Sequence, residues 1–378
     1  MNYLFIAPRF HTNLYHQVIA LQNAGNEVIV AVMYKGKSEH YENIKLNPIP
    51  LSLFSKCITG MLHLFRKGYL KSDFELRMQS PGKELRKVFR NFKPDVVVLK
   101  AYQNILALKA LRLSKTFGSK VLMHTQTVKT DIFGSSFLFK MNIRLFKKLK
   151  VFAYITPVLS NYEKFKSFGI ENVFYVPFVF PVAPDIKPRT LDEDVPFRIL
   201  SIGKYTRRKD QLTVIKAVEQ LYAEGFKLEL SVYGEMADSA YFKELTRHIE
   251  TNASESYIRL YENIGYDKIL NEYTRHQLFV LPAYNEPAAF SIVEALANAL
   301  PVICSDACGT SPYIETDING YVFKAKDPKD LLEKIKLTLI DKEHYGRLSK
   351  GAMDSALIHH NCESFALEIS NVINQEKP

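Results

Sequence analysis

The chain has 378 residues, 47% hydrophobic and 24% charged, too long for one ordinary core but with apolar material for two, so a two-domain globular protein is expected. No stretch approaches the roughly 20 predominantly apolar residues of a membrane span, and "MNYLFIAPRF" has no basic n-region and is interrupted by Pro8 and Arg9, unlike a signal peptide, so a cytoplasmic location is expected. The net charge of +10 is uneven: residues 1–180 hold 27 Lys/Arg against 10 Asp/Glu and residues 181–378 hold 23 against 30, so the halves face different partners.

In chain order, "NYLFIAP" reads as a buried parallel strand, and the helical "LYHQVIALQNAG" after it ends at Gly25, a glycine in the C′ position. "EVIVAV", "PDVVVLK" and "KVLMHTQT" repeat the strand signal, with the helical "NILALKALRLSKTFG" between the last two. Alternating strands and helices predict a parallel, doubly wound sheet over 1–180. Prolines crowd Val176 to Pro196 and leave little room for regular structure, which places a linker at 181–196. "FRILSIG", "FKLELSVYG", "QLFVLPA" and "PVICSD" restart the strand series, and a second α/β domain is expected over 197–360. In the tail, 361–378, Phe365, Ile369, Val372 and Ile373 share one helical face that needs a surface to cover it. Cys57, Cys304, Cys308 and Cys362 have neither disulfide-framework nor metal-ligand spacing and read as free thiols.

Ligands of open α/β sheets bind beyond the carboxyl ends of the strands, and four such loops carry polar chemistry. "GKYTRRKD" follows a strand with Gly203, Lys204, Arg207, Arg208 and Lys209. Such cations repel one another unless an anion or solvent separates them, and a diphosphate suits them as well as a solvated turn does. Neither a P-loop nor a dinucleotide fingerprint is present. In "YNEPAAFSIVEALANAL" a helix begins near Phe290 and Ser291, where free N–H groups and the macrodipole favour an anion. Glu286 before that helix and Glu294 inside it border one cavity as acceptors for hydroxyls, although Glu294 also reads as an ordinary helix charge. His11, Thr12 and Asn13 follow the first strand, and His124 ends a later one facing the interdomain cleft.

"GKYTRRK", "EPAAFSIVE" and "EALANALPVICSD" resemble the motifs of the retaining glycosyltransferases of family 4, glycosyl transferases group 1, bacterial surface-polysaccharide and lipid-acceptor type. The resemblance runs from Phe197 to Phe323 and is weak before it. It implies the GT-B fold, two Rossmann-like domains facing a cleft with the last helix crossing back to the first. It also implies transfer, with retention, from a nucleotide-diphosphate sugar to a glycan or lipid-linked acceptor at the cytoplasmic membrane face, in polysaccharide or lipopolysaccharide synthesis. Gly203, Lys204 and Lys209 would meet the donor diphosphate, the amides of Phe290 and Ser291 its phosphate oxygens, and Glu294 the ribose. Glu286 and His124 would lie at the transferred sugar as catalytic residues. Arg208 and Ile264 would lie on the donor side and His11, Thr12 and Asn13 on the acceptor side. No metal or other cofactor is implied. Three departures stand out: Lys204 where Arg is common, Pro287–Ala289 in place of Gly-Phe-Gly, and "FHTN" in place of an N-terminal glycine pair.

The lone D-x-D pattern, Asp192 to Asp194, falls in the linker and reads as solvated charge. "LFSKCITGMLHLFRKGYLK" and "FLFKMNIRLFKKLK" mix basic and apolar faces, which predicts contact with an anionic membrane surface. A sugar-nucleotide epimerase of the same fold is the alternative. A nucleic-acid-binding protein would also explain the charge, but no nucleic-acid module signature is present, so nucleic acid is not an expected partner.

Overall fold

The computed structural model describes residues 1–34, 43–57, 80–100, 105–126, 151–192, 194–339 and 341–375. The basic stretch at 137–150 and the part of the other beyond Cys57 lie outside them. The first sheet holds β1 (Asn2–Arg9), β2 (Glu27–Tyr34), β3 (Leu46–Pro48), β4 (Val96–Leu99), β5 (Lys120–His124), β6 (Ala153–Thr156) and β7 (Val173–Tyr175). The second holds β8 (Phe197–Ile202), β9 (Leu228–Gly234), β10 (Ile258–Glu262), β11 (Leu278–Leu281), β12 (Val302–Ser305) and β13 (Gly320–Phe323). Both are parallel and doubly wound, in the orders β3-β2-β1-β4-β5-β6-β7 and β10-β9-β8-β11-β12-β13. The direction of winding reverses between β1 and β4 in one sheet and between β8 and β11 in the other, and such switch points open a crevice for ligand. Residues after β1, β8 and β11 therefore inherit their position from topology.

The strands read so clearly because helices cover both faces of each sheet: β4 and β11 are buried throughout. α1 (Tyr15–Asn23) lies on one face of the first sheet, and α2 (Glu84–Phe92), α3 (Ile105–Phe117) and α4 (Leu159–Ser167) on the other. The second sheet carries α5 (Gln211–Ala223), α6 (Ser239–Thr251), α7 (Tyr266–Arg275), α8 (Phe290–Ala297), α9 (Pro328–Thr338) and α10 (Lys342–His359). β3, β6, β7, β10 and β13 escape a reading of apolar runs because they are short or carry Pro48, Arg259 or Gly320.

The final helix, α11 (Cys362–Asn374), starts at Asn361, whose side chain accepts from Ser364 N at 2.7 Å. It packs beside α1, and Phe365, Ile369, Val372 and Ile373 are buried in one core with Tyr3, Val18 and Val28. Lys120 Nζ donates to Ile373 O at 2.7 Å, a cation on the negative end of the helix. Where the chain crosses between the sheets, its two passages are joined: Phe180 N donates to His360 O at 2.9 Å, and His360 Nδ1 bonds Phe178 O at 2.8 Å.

Arg189 bolts the proline-rich passage to the second sheet. Its guanidinium donates to Tyr273 O at 2.7 Å, to Asn298 O at 2.6 Å and to His276 O, the carbonyl ends of α7 and α8. Arg189→Ala leaves these partly buried carbonyls unpaired, at a cost of about 3 kcal/mol. Chemical unfolding is expected to show a midpoint well below wild type, with Arg189→Lys between the two.

Candidate functional site

The chain leaves β11 and turns at Asn285, whose φ of 57° lies in the left-handed region that Asn tolerates. Glu286 then bridges to Cys308, and Gly309 N donates to Glu286 O at 2.9 Å. Gly309 is needed here, since a Cβ on it would come within 1.9 Å of Pro287 O. So placed, Glu286 is 7% exposed, and its Oε2 accepts from Lys209 Nζ at 2.7 Å and from the Arg208 guanidinium. Burial pushes this carboxyl up, but Lys209 and Arg208 outweigh it and hold it below the usual range.

The basic loop after β8 is fixed from beneath. Buried Gln211 donates to Gly203 O and Lys204 O, both at 3.1 Å, Gly203 N donates to Tyr233 O at 2.9 Å, and Tyr284 N donates to Arg208 O at 3.0 Å. The cations then divide. Arg208 and Lys209 meet at Glu286, Lys204 pairs with Glu235 at 2.6 Å, and Arg207 turns outward to Glu244 at 2.5 Å.

α8 starts at Phe290 with no side-chain cap, so the N–H groups of its first turn, Ser291 included, have no partner inside the helix. The Phe290 ring joins the seam between the sheets, 6.0 Å from His16 of α1 and 5.6 Å from Phe178. Glu294 is 5% exposed and both its oxygens are taken: Tyr266 Oη donates to Oε1 at 2.5 Å and Tyr273 Oη to Oε2 at 2.7 Å. Burial raises its carboxyl above the usual range, and the two hydroxyls offset only part of that rise. Ile264, just before α7, packs against the core below.

On the opposite wall a basic cluster stands at the carboxyl edge of the first sheet. Lys100 Nζ donates to Asn13 Oδ1 at 2.7 Å, and Asn13 Nδ2 reaches Gln126 Oε1 at 3.5 Å. Burial drives the Lys100 ammonium down to about 7. His124, 3% exposed, is held neutral, down to about 3, by burial and then by the charge of Lys100, and its Nδ1 finds no partner among the described residues. His11 is exposed, unlike His124, and its imidazole pKa is lowered by the surrounding protein and then by Lys100, Arg9 and, across the cleft, Lys204. Thr12 opens the short helical turn between β1 and α1.

The structure thus brings Gly203, Arg208, Lys209 and Glu286 together. It places His11, Asn13 and His124 with Lys100 on the facing edge, gives Lys204 a partner of its own, and sets Glu294 between two tyrosines. Sequence reading missed Lys100, Gln211, Glu235, Tyr266 and Tyr273. The tyrosines had a signal, because seven residues apart they share one face of a helix. Asp192 and Asp194 are exposed and precede the amino end of β8, the edge away from these loops. Cys304 and Cys308 are buried thiols, Cys308 Sγ lying 3.2 Å from Thr310 Oγ1.

Two Rossmann-like sheets facing each other across such a crevice define the GT-B fold. The crystal structure of Anabaena HepE in complex with UDP-glucose has the same architecture, with a TM-score of 0.70 and 15% identity over 99% of each chain. Residues 183–354 match the family described as Glycosyl transferases group 1. The chain is 25% identical to the amylovoran biosynthesis glycosyltransferase AmsD of Erwinia amylovora, over 67% of this chain and 73% of AmsD. It is 29% identical to Protein CapJ of Staphylococcus aureus over 41% of this chain, and the match spans 39% of that relative's length.

Proposed function

We propose that the protein is a metal-independent, retaining glycosyltransferase of family 4 that moves a sugar from a nucleoside-diphosphate donor to a glycan or lipid-linked acceptor at a membrane face, in surface-polysaccharide synthesis. The observation that carries this reading is the convergence of Arg208 and Lys209 on Glu286 at a topological switch point, beside the uncapped start of α8. The family match over 183–354 supports it, as do the UDP-glucose bound by HepE and the biosynthetic role in the name of AmsD. Domain limits at 180, 196 and 360 belong to the same proposal.

In this reading the departing diphosphate takes over Arg208 and Lys209 from Glu286 and lies on the first-turn amides of Phe290 and Ser291. Lys204 joins it by leaving Glu235. Charge builds on the leaving oxygen where cations and a helix dipole already stand, so little reorganisation is needed. Glu286 accepts hydrogen bonds from the transferred sugar. His124, uncharged, offers the sugar a polar group without repelling the positive charge that grows at its anomeric carbon. Glu294 takes the ribose hydroxyls by sharing or displacing Tyr266.

The test is transfer with a panel of UDP-, GDP- and ADP-sugars in excess EDTA, with the folded protein's thermal shift as a second readout. One donor class is expected to raise Tm and to be consumed by transfer without added metal. Activity that vanished with EDTA and returned with manganese would overturn the metal-free reading, and inversion of the donor sugar's stereochemistry without transfer would favour an epimerase.

A further inference from the structure

α2 and α3 flank a cavity of about 650 Å³ on the first sheet, apart from the crevice described above. Lys83 at the N-cap of α2 and Arg86, Lys87 and Arg90 within it line the cavity, and spacings of three and four residues put them on one helical face. Lys109 and Arg112 line it from α3, three residues apart, and Lys109 Nζ is held by Pro81 O at 2.9 Å. Against these six cations stands Glu84, 3.8 Å from Lys87. Among the described residues no carboxylate pairs with Lys83, Arg86, Arg90 or Arg112.

Cations gathered around a concave surface raise one another's energy and concentrate anions there. The guanidinium groups among them favour an oxyanion that accepts paired N–H donors, and phosphate has that geometry. Among the described residues no aromatic lines the cavity, so they offer none of the stacking faces with which single-stranded nucleic acid is held. Leu85 and Leu113 add an apolar wall.

The geometry points to a second anion site on this chain: the cavity between α2 and α3 binds a phosphate-bearing group, whether borne by an anionic lipid headgroup or by a free phosphate compound. This deepens the acceptor-side reading above by placing a phosphate contact on the first sheet outside the crevice, but its test does not depend on transfer.

The experiment uses the full chain with UDP, GDP and ADP all present in excess to fill the donor crevice. Sedimentation is measured with vesicles of phosphatidylcholine alone and of phosphatidylcholine mixed with phosphatidylglycerol, and calorimetry with inorganic pyrophosphate. The variant Arg86→Ala/Arg90→Ala/Arg112→Ala changes three exposed side chains. A control of equal charge, Lys227→Ala/Lys243→Ala/Lys268→Ala, changes three exposed lysines of the second half. At roughly fivefold per basic residue near an anionic surface, the cavity variant is expected to lose about a hundredfold in partition to phosphatidylglycerol vesicles while the control stays near wild type. That pattern identifies a lipid headgroup. Loss of pyrophosphate binding in the cavity variant alone, with vesicle binding unchanged, identifies a free phosphate. Equal loss in both variants, no binding of wild type to either probe, or binding to an RNA oligonucleotide in their place overturns the proposal. Vesicle binding that depends on the cavity in a protein that transfers no sugar sinks the transferase reading and leaves this one standing.

Discussion

Glu286→Ala is expected to lower kcat on the order of a hundredfold or more while donor KM moves only a few-fold. The carboxylate sits at 7% exposure between Lys209 and Arg208, so its removal withdraws the group that holds both cations in position before the donor arrives. It also removes the acceptor proposed for the sugar hydroxyls, which face the part of the donor that changes during reaction. An interaction that strengthens as the sugar departs appears in kcat. Glu286→Gln keeps an acceptor oxygen without the charge, and an intermediate kcat is expected. Glu294→Ala provides the contrast: the ribose contact proposed for Glu294 would be the same in ground and transition states, so its loss is expected to raise donor KM. Donor-saturation kinetics at fixed acceptor separate the two. If both alanine variants raised KM alike and left kcat intact, Glu286 would be only another handle on the donor.

Lys100→Met is expected to make the protein more stable and to slow transfer. Burial takes the ammonium from 10.5 to about 7, so in the folded state the charge is disfavoured and in the unfolded state it is not. The penalty is fully present below about pH 7 and is relieved as pH rises toward 10.5, so wild-type stability climbs with pH across that window. Methionine carries no such penalty. A gain of about 1–4 kcal/mol is expected at pH 6 and little near pH 10. Thermal unfolding of both proteins across that range is the measurement. A variant less stable than wild type at pH 6 would show that Asn13 and its neighbours hold Lys100 at no cost. Slower transfer is expected because Lys100 Nζ fixes Asn13 Oδ1 on the crevice wall, a bond that methionine cannot make.

The fold was legible where burial on both faces makes a strand a continuous apolar run, as in "VVVL" and "LFVL", and where a helix keeps one apolar stripe, as from Phe365 to Ile373. Glu286, Lys209 and the start of α8 were legible as members of a spacing pattern. Their meeting was not, because Lys209 and Glu286 are far apart in sequence and only the adjacency of β8 and β11 brings their loops together. Lys100 looked like the polar end of a strand, and its depressed charge is a property of the surroundings. Arg189 looked like one more cation in a proline-rich linker, and its value lies in three carbonyls contributed by the ends of other helices. Residues whose role is to receive or neutralise something distant leave no local mark.

The packing of α11 beside α1 sets the order in which the molecule can be finished. A ribosome releases β1, α1 and the rest of the first sheet long before it reaches Phe365, so the chain's first half waits with an apolar groove open over Val18 and Val28 while the second sheet is still being made. The second half has a core of its own residues, Ile199, Val232 and Leu278 among them, and can close as it emerges. The part synthesised first is therefore completed last, and a ribosome that stops short of residue 365 leaves a protein with a finished second sheet and an exposed first one, a substrate for chaperones and proteases.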